Sequence, residues 1–310
     1  MENKLHKNQI VEINAQKKAK EGKLYSRNKY LNGRKAKLKF IDKQYVIEFE
    51  FDLFDDSSIN LKLGQYYHGV KFMTKSTTYK LGSFFIKGQS TDLAYGVTSE
   101  LSTEKFNPIS KYYYQLFIPL DKAYDFHNYV QTSLFSSDLG IRSRSACSVN
   151  IDTSEFDACC IKDKQGNYYL SIESAEKQIF KIFLEKSFAF RIALGYITGK
   201  YIGGKAYFFC YPNKLKNKYH FKYSAIRDSI LSSYSPIHRN AYAYSHVNEQ
   251  AKKYDNKLRT LTRSELENLC SKIFKYEEFS SLLLLILESS VASLLLMPSG
   301  FSIALESLVD

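Results

Sequence analysis

Arg239 and His246, seven residues apart in Arg-Asn-Ala-Tyr-Ala-Tyr-Ser-His, are residue types able to cleave RNA without a metal. A guanidinium can steady the charge of a phosphorane while an imidazole moves a proton from or to the ribose hydroxyl. A seven-residue step on a helix puts both side chains on one face. Pro236 and the Ala-Tyr-Ala-Tyr alternation oppose a helix there. A loop whose tyrosines pack on the core and whose Arg239 meets a surface acid accounts for the same residues. Gly199-Lys-Tyr-Ile-Gly-Gly204-Lys205 has the spacing of a phosphate-binding loop, yet Ala206 stands where a magnesium-binding hydroxyl belongs. The loop also follows a helical pattern and precedes an aromatic strand, the reverse of the context such a loop needs, so its glycines suit a helix end and a turn. Asp52, Asp55 and Asp56 could bind a cation or simply form the turn after a strand. His68, His127, His220 and His238 each stand alone in sequence and read as structural. The five cysteines, Cys147, Cys159, Cys160, Cys210 and Cys270, contain no C-x-x-C and no metal-ligand spacing with a histidine. Cys159 and Cys160, being adjacent, would face opposite sides of a strand. No cofactor and no metal is called for, and whether the chain is an enzyme stays open.

The elements that would position these residues follow from periodicity. Period-two alternation predicts strands at 44–52, 61–72, 78–86, 112–118, 147–151, 157–162 and 168–172. Lys162-Asp-Lys-Gln-Gly-Asn167 supplies a hairpin turn between the last two. Residues 121–134 read as a short helix. From Ser174 the period becomes helical, with Phe180, Phe183, Leu184 and Phe188 on one stripe and Gly195 and Gly199 at the end. An aromatic hairpin at 205–211 and 219–223 and a loop-rich stretch at 232–255 come next. Thr262-Arg-Ser-Glu265 is a capping box opening a long helix, which Pro298-Ser-Gly300 would break before a second helix from Phe301 to Val309. The expected fold class is α+β: an N-terminal antiparallel β-sandwich or barrel-like domain followed by a helical C-terminal region. The expected divisions are a basic arm over 1–43, a β-rich domain over 44–173, a helix, hairpin and loop region over 174–261, and a helical region over 262–310.

Charge and hydropathy suggest partners. Of the formal net charge of +12, residues 1–43 hold +9, so the basic character is expected to belong to an arm. Lys17, Lys18, Lys20, Arg34, Lys35 and Lys37 are its candidate contacts to RNA or DNA, through counterion release. A solvated lysine-rich leader is the plainer alternative, since the chain has 35 Lys against 9 Arg and base recognition favours arginine. At the other end, four consecutive leucines, Leu282–Leu285, point to every side of a helix, and Val291 and Leu294–Met297 extend the belt. Such a helix must be enclosed all round. The cover could be this chain's own core, or a homo-oligomer or partner chain meeting residues 282–309, with Leu282, Leu283, Leu285, Leu294 and Leu295 as interface candidates. The stretch is too short and polar for a membrane span. The charged N-terminus has no apolar signal region, and a cytoplasmic location is expected.

Ile192-Ala-Leu-Gly-Tyr-Ile-Thr-Gly199 superficially resembles the core helix of LAGLIDADG homing endonucleases, but Thr198 and Gly199 stand where that family needs a metal-holding carboxylate. A broader resemblance rests on Phe188-Ala-Phe-Arg-Ile-Ala-Leu-Gly-Tyr-Ile-Thr-Gly199, Tyr234-Ser-Pro-Ile-His-Arg-Asn240 and Phe301-Ser-Ile-Ala-Leu-Glu306. These segments resemble uncharacterised Bacteroidetes-type proteins similar to the ApeA-like abortive-infection proteins, in which a β-rich region precedes a HEPN ribonuclease domain. The resemblance implies a part in bacterial antiphage defence, with residues from 262 onward as the start of a truncated HEPN-like domain. In that family the catalytic Arg and His lie on a later helix, so Arg239 and His246 do not match their placement. The resulting expectation is a non-catalytic sensor or scaffold that associates through its apolar C-terminal helices. The alternatives are a metal-independent HEPN-like ribonuclease and a nucleic-acid-binding module led by the basic arm.

Overall fold

The structure is a computed structural model describing residues 7–52, 61–121, 130, 135–136, 142–143, 146–198, 202–214, 216, 218–226, 261–289 and 297–309. It is α+β, dominated by one large antiparallel sheet, with most of the helices in the C-terminal part. The chain begins with helix α1 (Lys7–Lys17) and strands β1 (Lys20–Tyr25), β2 (Lys35–Ile41) and β3 (Gln44–Glu50). Six short strands follow: β4 (Tyr66–Tyr67), β5 (Lys71–Met73), β6 (Thr78–Leu81), β7 (Phe84–Gln89), β8 (Leu93–Thr98) and β9 (Glu100–Thr103). Then come β10 (Tyr113–Leu120), the small β11 (Phe135–Ser136) and β12 (Arg142–Ser143), and β13 (Ala146–Ile151), β14 (Ser154–Lys162) and β15 (Tyr168–Ser174). Helix α2 (Phe180–Thr198), strands β16 (Gly204–Tyr211) and β17 (His220–Ile226), and helices α3 (Arg263–Lys275), α4 (Glu277–Ser289) and α5 (Met297–Val309) complete the order.

The main sheet runs β13-β14-β15-β10-β16-β17-β9-β6-β5-β1-β2-β3-β8-β7-β4. This order overturns the expected basic arm. Strands β1 and β2 lie inside the sheet, bridging β5 to β3, and Ile13, Leu24, Leu31 and Leu38 are core residues. Lysines hid this, because on a strand with one wet face they alternate with the buried residues: Lys35, Lys37 and Lys39 point away while Ala36 and Leu38 are buried. Gly22 in β1 lets β5 come close, since a Cβ there would lie 2.2 Å from the Met73 carbonyl oxygen. The connections β2–β3 and β13–β14 turn on Asp42-Lys43 and Asp152-Thr153, all four at positive φ, as in two-residue hairpins of the type I′ kind.

The strands β10, β14, β15 and β16 are buried on both faces. On one face Leu116, Ala158, Leu170, Ile172 and Phe208 pack against the helices. On the other Phe117, Cys159, Tyr169, Tyr207 and Phe209 join Ile47, Phe72, Phe84 and Leu101 from the N-terminal strands in a second core. The helix that is enclosed all round is α2: every residue from Lys186 to Gly195 is buried. It takes two cations with it. Lys186 Nζ donates to the Asp152 carbonyl at 2.9 Å and to Ser154 Oγ at 2.8 Å, tying the helix to the β13–β14 turn. Arg191 donates to the Ile202 carbonyl at 2.8 Å.

The long C-terminal helix of the sequence reading is two helices. The capping box forms, Glu265 N–H donating to Thr262 Oγ1 and Thr262 N–H to Glu265. The stripe Leu266, Cys270, Ile273 would next reach Glu277; the chain instead leaves the helix at Tyr276 and starts α4 with Glu277 and Glu278 in its first turn, where carboxylates are favoured. The second helix expected over Phe301 to Val309 forms as α5, but it starts earlier, at Met297, since the missing N–H of Pro298 costs nothing in a first turn. The expected strand 61–72 is likewise divided, into β4 and β5, and 78–86 into β6 and β7. The helix expected at 121–134 lies mostly outside the described residues.

Candidate functional site

The six basic candidates are placed within a folded surface. Lys17 sits at the last turn of α1, and Lys20 Nζ donates to the carbonyls of Ala15 and Gln16 at 2.9 and 3.0 Å, capping the same helix end. Arg34 Nε donates to the Tyr30 carbonyl at 3.0 Å. Lys35 pairs with Glu50 at 3.1 Å and Lys37 with Glu21 at 3.8 Å, whereas Lys18 is exposed. A surface whose lysines are interleaved with glutamates has a weakened field for a phosphate polymer.

Arg239, His246, Leu294, Leu295, Asp55 and Asp56 lie outside the described residues. Of the phosphate-loop spacing, Gly204 and Lys205 are described; they begin β16, and the Lys205 ammonium lies over the Tyr223 ring at 5.9 Å. Cys159 and Cys160 do face opposite sides of β14, toward the two different cores. Burial raises the Cys147, Cys159, Cys210 and Cys270 thiols well above their ordinary value, which makes them inert at neutral pH. Among the described residues no group of three or more His, Cys, Asp or Glu side chains could hold a metal. No described helix is long and apolar enough to cross a membrane.

Two polar arrangements inside the sheet were not visible in the sequence. The first is an aromatic cage at the end of α1. The Lys17 ammonium lies 5.4 Å from the centroid of Tyr207, 5.6 Å from Tyr169 and 5.7 Å from Phe40, and donates to the Tyr169 hydroxyl at 3.1 Å. Tyr223 and Tyr45 back the cage: Tyr223 is 5.0 Å from Tyr207 and 5.9 Å from Phe40, and Tyr45 is 5.0 Å from Phe40 and 4.9 Å from Tyr223. The four tyrosines are about as buried as any residue in the chain, each at 1% exposure, while Phe40 is half-buried at the rim. Among the described residues the buried Tyr45 hydroxyl has no hydrogen-bond partner. Desolvation lowers the Lys17 pKa, partly countered by Asp163. These rings come from β2, β3, β15, β16 and β17, spread from residue 40 to residue 223, so no spacing marks them. The aromatic richness of 205–211 and 219–223 was the available signal.

The second arrangement is a row of polar side chains crossing four strands in register, Ser148 of β13, Asp157 of β14, Glu173 of β15 and Gln115 of β10. Ser148 Oγ donates to Asp157, Lys216 Nζ to Glu173, and Gln115 Nε2 to the other Glu173 oxygen. The Tyr211 hydroxyl donates to Gln115 at 3.0 Å and accepts from Gln9 of α1 at 2.9 Å. Burial raises the Asp157 carboxyl to about 6, with Glu155 and Glu173 adding to the rise and the Ser148 bond opposing it. Two carboxylates opposite each other on neighbouring strands repel, so the Asp157 proton is held to higher pH than on an ordinary carboxyl.

The apolar C-terminus forms a helical hairpin. Leu283 and Leu287 are buried, and Leu284 and Ile286 pack on the helix-side core. Leu282 and Leu285 are half-buried. On α5 Ala304 is fully buried, Gly300 is so close to α4 that a Cβ would lie 1.9 Å from Ser289 Oγ, and Ile303 and Leu305 remain 54% and 61% exposed. The sheet and α2 therefore enclose part of the leucine belt, not all of it.

No family model, curated protein or solved structure matches the chain.

Proposed function

We propose that the protein is a non-catalytic scaffold or sensor that associates with a second copy of itself through the α4–α5 hairpin. The observation that carries this reading is the state of α5, which rests on α4 along one strip and leaves Ile303 and Leu305 more than half exposed. Successive helical residues are about 100° apart, so these two side chains stand on either flank of the buried Ala304. Covering both flanks takes more helix surface than α4 provides. Leaving two large aliphatic side chains wet forgoes about 1.5–3 kcal/mol each. A second copy supplies an identical hairpin, and a two-fold arrangement needs no further surface. Neither α4 nor α5 contains a Lys or Arg, which disfavours a phosphate polymer as the occupant. The close Gly300–Ser289 approach packs α5 tightly on α4 at that point, so the two helices present one joint apolar surface.

The test is light scattering on the purified full chain beside Leu305→Glu. A dimer that the substitution weakens by about tenfold or more is expected, because burying an unpaired carboxylate is costly. A wild-type chain that stays monomeric at micromolar concentrations overturns the reading. The ribonuclease alternative depends on Arg239 and His246, and no described residue adds support to it. The resemblance to abortive-infection proteins would set such a scaffold in antiphage defence; it contributes no part of the argument from α5.

A further inference from the structure

We infer that Phe40, Tyr169 and Tyr207 form a binding site for quaternary ammonium groups, which Lys17 of α1 occupies as an internal stand-in. A cation within about 6 Å of a ring centroid is held by the ring quadrupole. Lys17 meets that condition on three rings at once, at 5.4, 5.6 and 5.7 Å. The rings come from three strands of a rigid sheet, whereas Lys17 is the last residue of an eleven-residue helix. An isolated helix of that length is marginal in water, and this one is held by Ile10, Ile13 and a few side-chain hydrogen bonds, to Tyr79, Tyr169, Tyr211 and Gln165.

The chemistry of the cage fits a methylated ammonium better than the lysine it contains. An NH3⁺ group has three donors to satisfy, and among the described residues Lys17 has one hydrogen-bond acceptor, the Tyr169 hydroxyl. The three ring faces solvate positive charge without accepting further hydrogen bonds, and the Asp163 carboxylate adds attraction for any cation there. A quaternary ammonium has no N–H to satisfy and loses less hydration on entry. The Tyr45 hydroxyl, whose ring touches Phe40 and Tyr223, is buried and has no hydrogen-bond partner among the described residues. Half-buried Phe40 and part-buried Lys17 place the entrance at the surface. Lys17 is thus a tethered competitor, and a ligand enters by displacing its side chain.

The experiment uses the full chain, with Lys17→Ala and the double variant Lys17→Ala/Tyr207→Leu, and tetramethylammonium as the probe. Ring currents shift the probe's methyl proton resonance upfield when it sits over aromatic faces. Lys17→Ala is expected to bind the probe about tenfold more tightly than the unaltered chain, and the double variant to lose that gain. Neopentyl alcohol, similar in shape but neutral, is expected to show no shift. If Lys17→Ala does not fold, the unaltered chain at tens of millimolar probe gives the same reading, a shift for the cation and none for the alcohol. No shift of the cation in any folded form, or an equal shift of the alcohol, overturns the inference. None of these residues lies in the α4–α5 hairpin, so this outcome is independent of the oligomeric state.

Discussion

Asp157 shows how one part-buried side chain sets a pH dependence. Burial and two neighbouring acids lift its carboxyl from 3.8 to about 6 in the folded chain. The unfolded chain then releases its proton at lower pH than the folded one. Stability is accordingly greatest below the unfolded value and falls as pH rises from about 4 through about 6, by up to about 3 kcal/mol. Asp157→Asn keeps an acceptor for Ser148 Oγ and removes the charge facing Glu173. Urea unfolding should find this variant more stable than the parent at pH 8 and nearly equal to it at pH 4. A variant no more stable at pH 8 would mean that water reaches the carboxylate. Lys186 is the opposite arrangement, a buried charge whose hydrogen bonds to the Asp152 carbonyl and Ser154 hold it in place. Its interaction was invisible in sequence because the partners lie more than thirty residues away.

Among the elements, α3 and α1 behave differently. The start of α3 is a local matter: Thr262 and Glu265 satisfy each other's backbone N–H groups, and the same four residues announce it in the sequence. Thr262→Ala should cost about 1 kcal/mol, read as a lowered urea midpoint with an unchanged slope. The end of α3 is decided at a distance. No Gly or Pro marks Tyr276; the helix stops because Leu266, Cys270 and Ile273 pack on α2 and β13 while α4 must follow a different face. Helix α1 has no strong apolar stripe, only Ile10, Ile13 and the buried Gln16, whose amide bonds Glu12 and the Tyr79 hydroxyl. Its helicity depends on the sheet beneath it, which is why the lysine-rich segment reads as an arm.

At the scale of the whole molecule, the N-terminal residues are part of the structure rather than an appendage. Removing 1–43 would take out β1 and β2, which join β5 to β3, and with them Ile13, Leu24, Leu31 and Leu38 from the core. The truncated chain is expected to lose cooperative thermal unfolding. A sharp transition at an unchanged temperature would show instead that the other strands fold alone. For the same reason, nucleic-acid binding is better tested by exchanging Lys18 and its exposed neighbours for glutamine, with the salt dependence followed, than by deletion. The even spacing of charge along β2 also matters here, because Glu21, Glu48 and Glu50 sit across from its lysines and neutralise much of the local field.

Where structure is set within a few residues, the sequence was sufficient. The Gly-Asn turn after β14, the capping box at Thr262, the aromatic stripe opening α2 and the alternation of β3 all form where their patterns lie, since turns, caps and amphipathic faces depend on near neighbours. The opposed facing of Cys159 and Cys160 follows from the pleat alone. What tertiary structure alone decided was which segments meet. It placed β1 and β2 inside the sheet, gathered Phe40, Tyr169 and Tyr207 from three distant strands around Lys17, and set Asp157 opposite Glu173. Those pairings depend on sheet register and burial, and both are properties of the closed fold that no short window of residues contains.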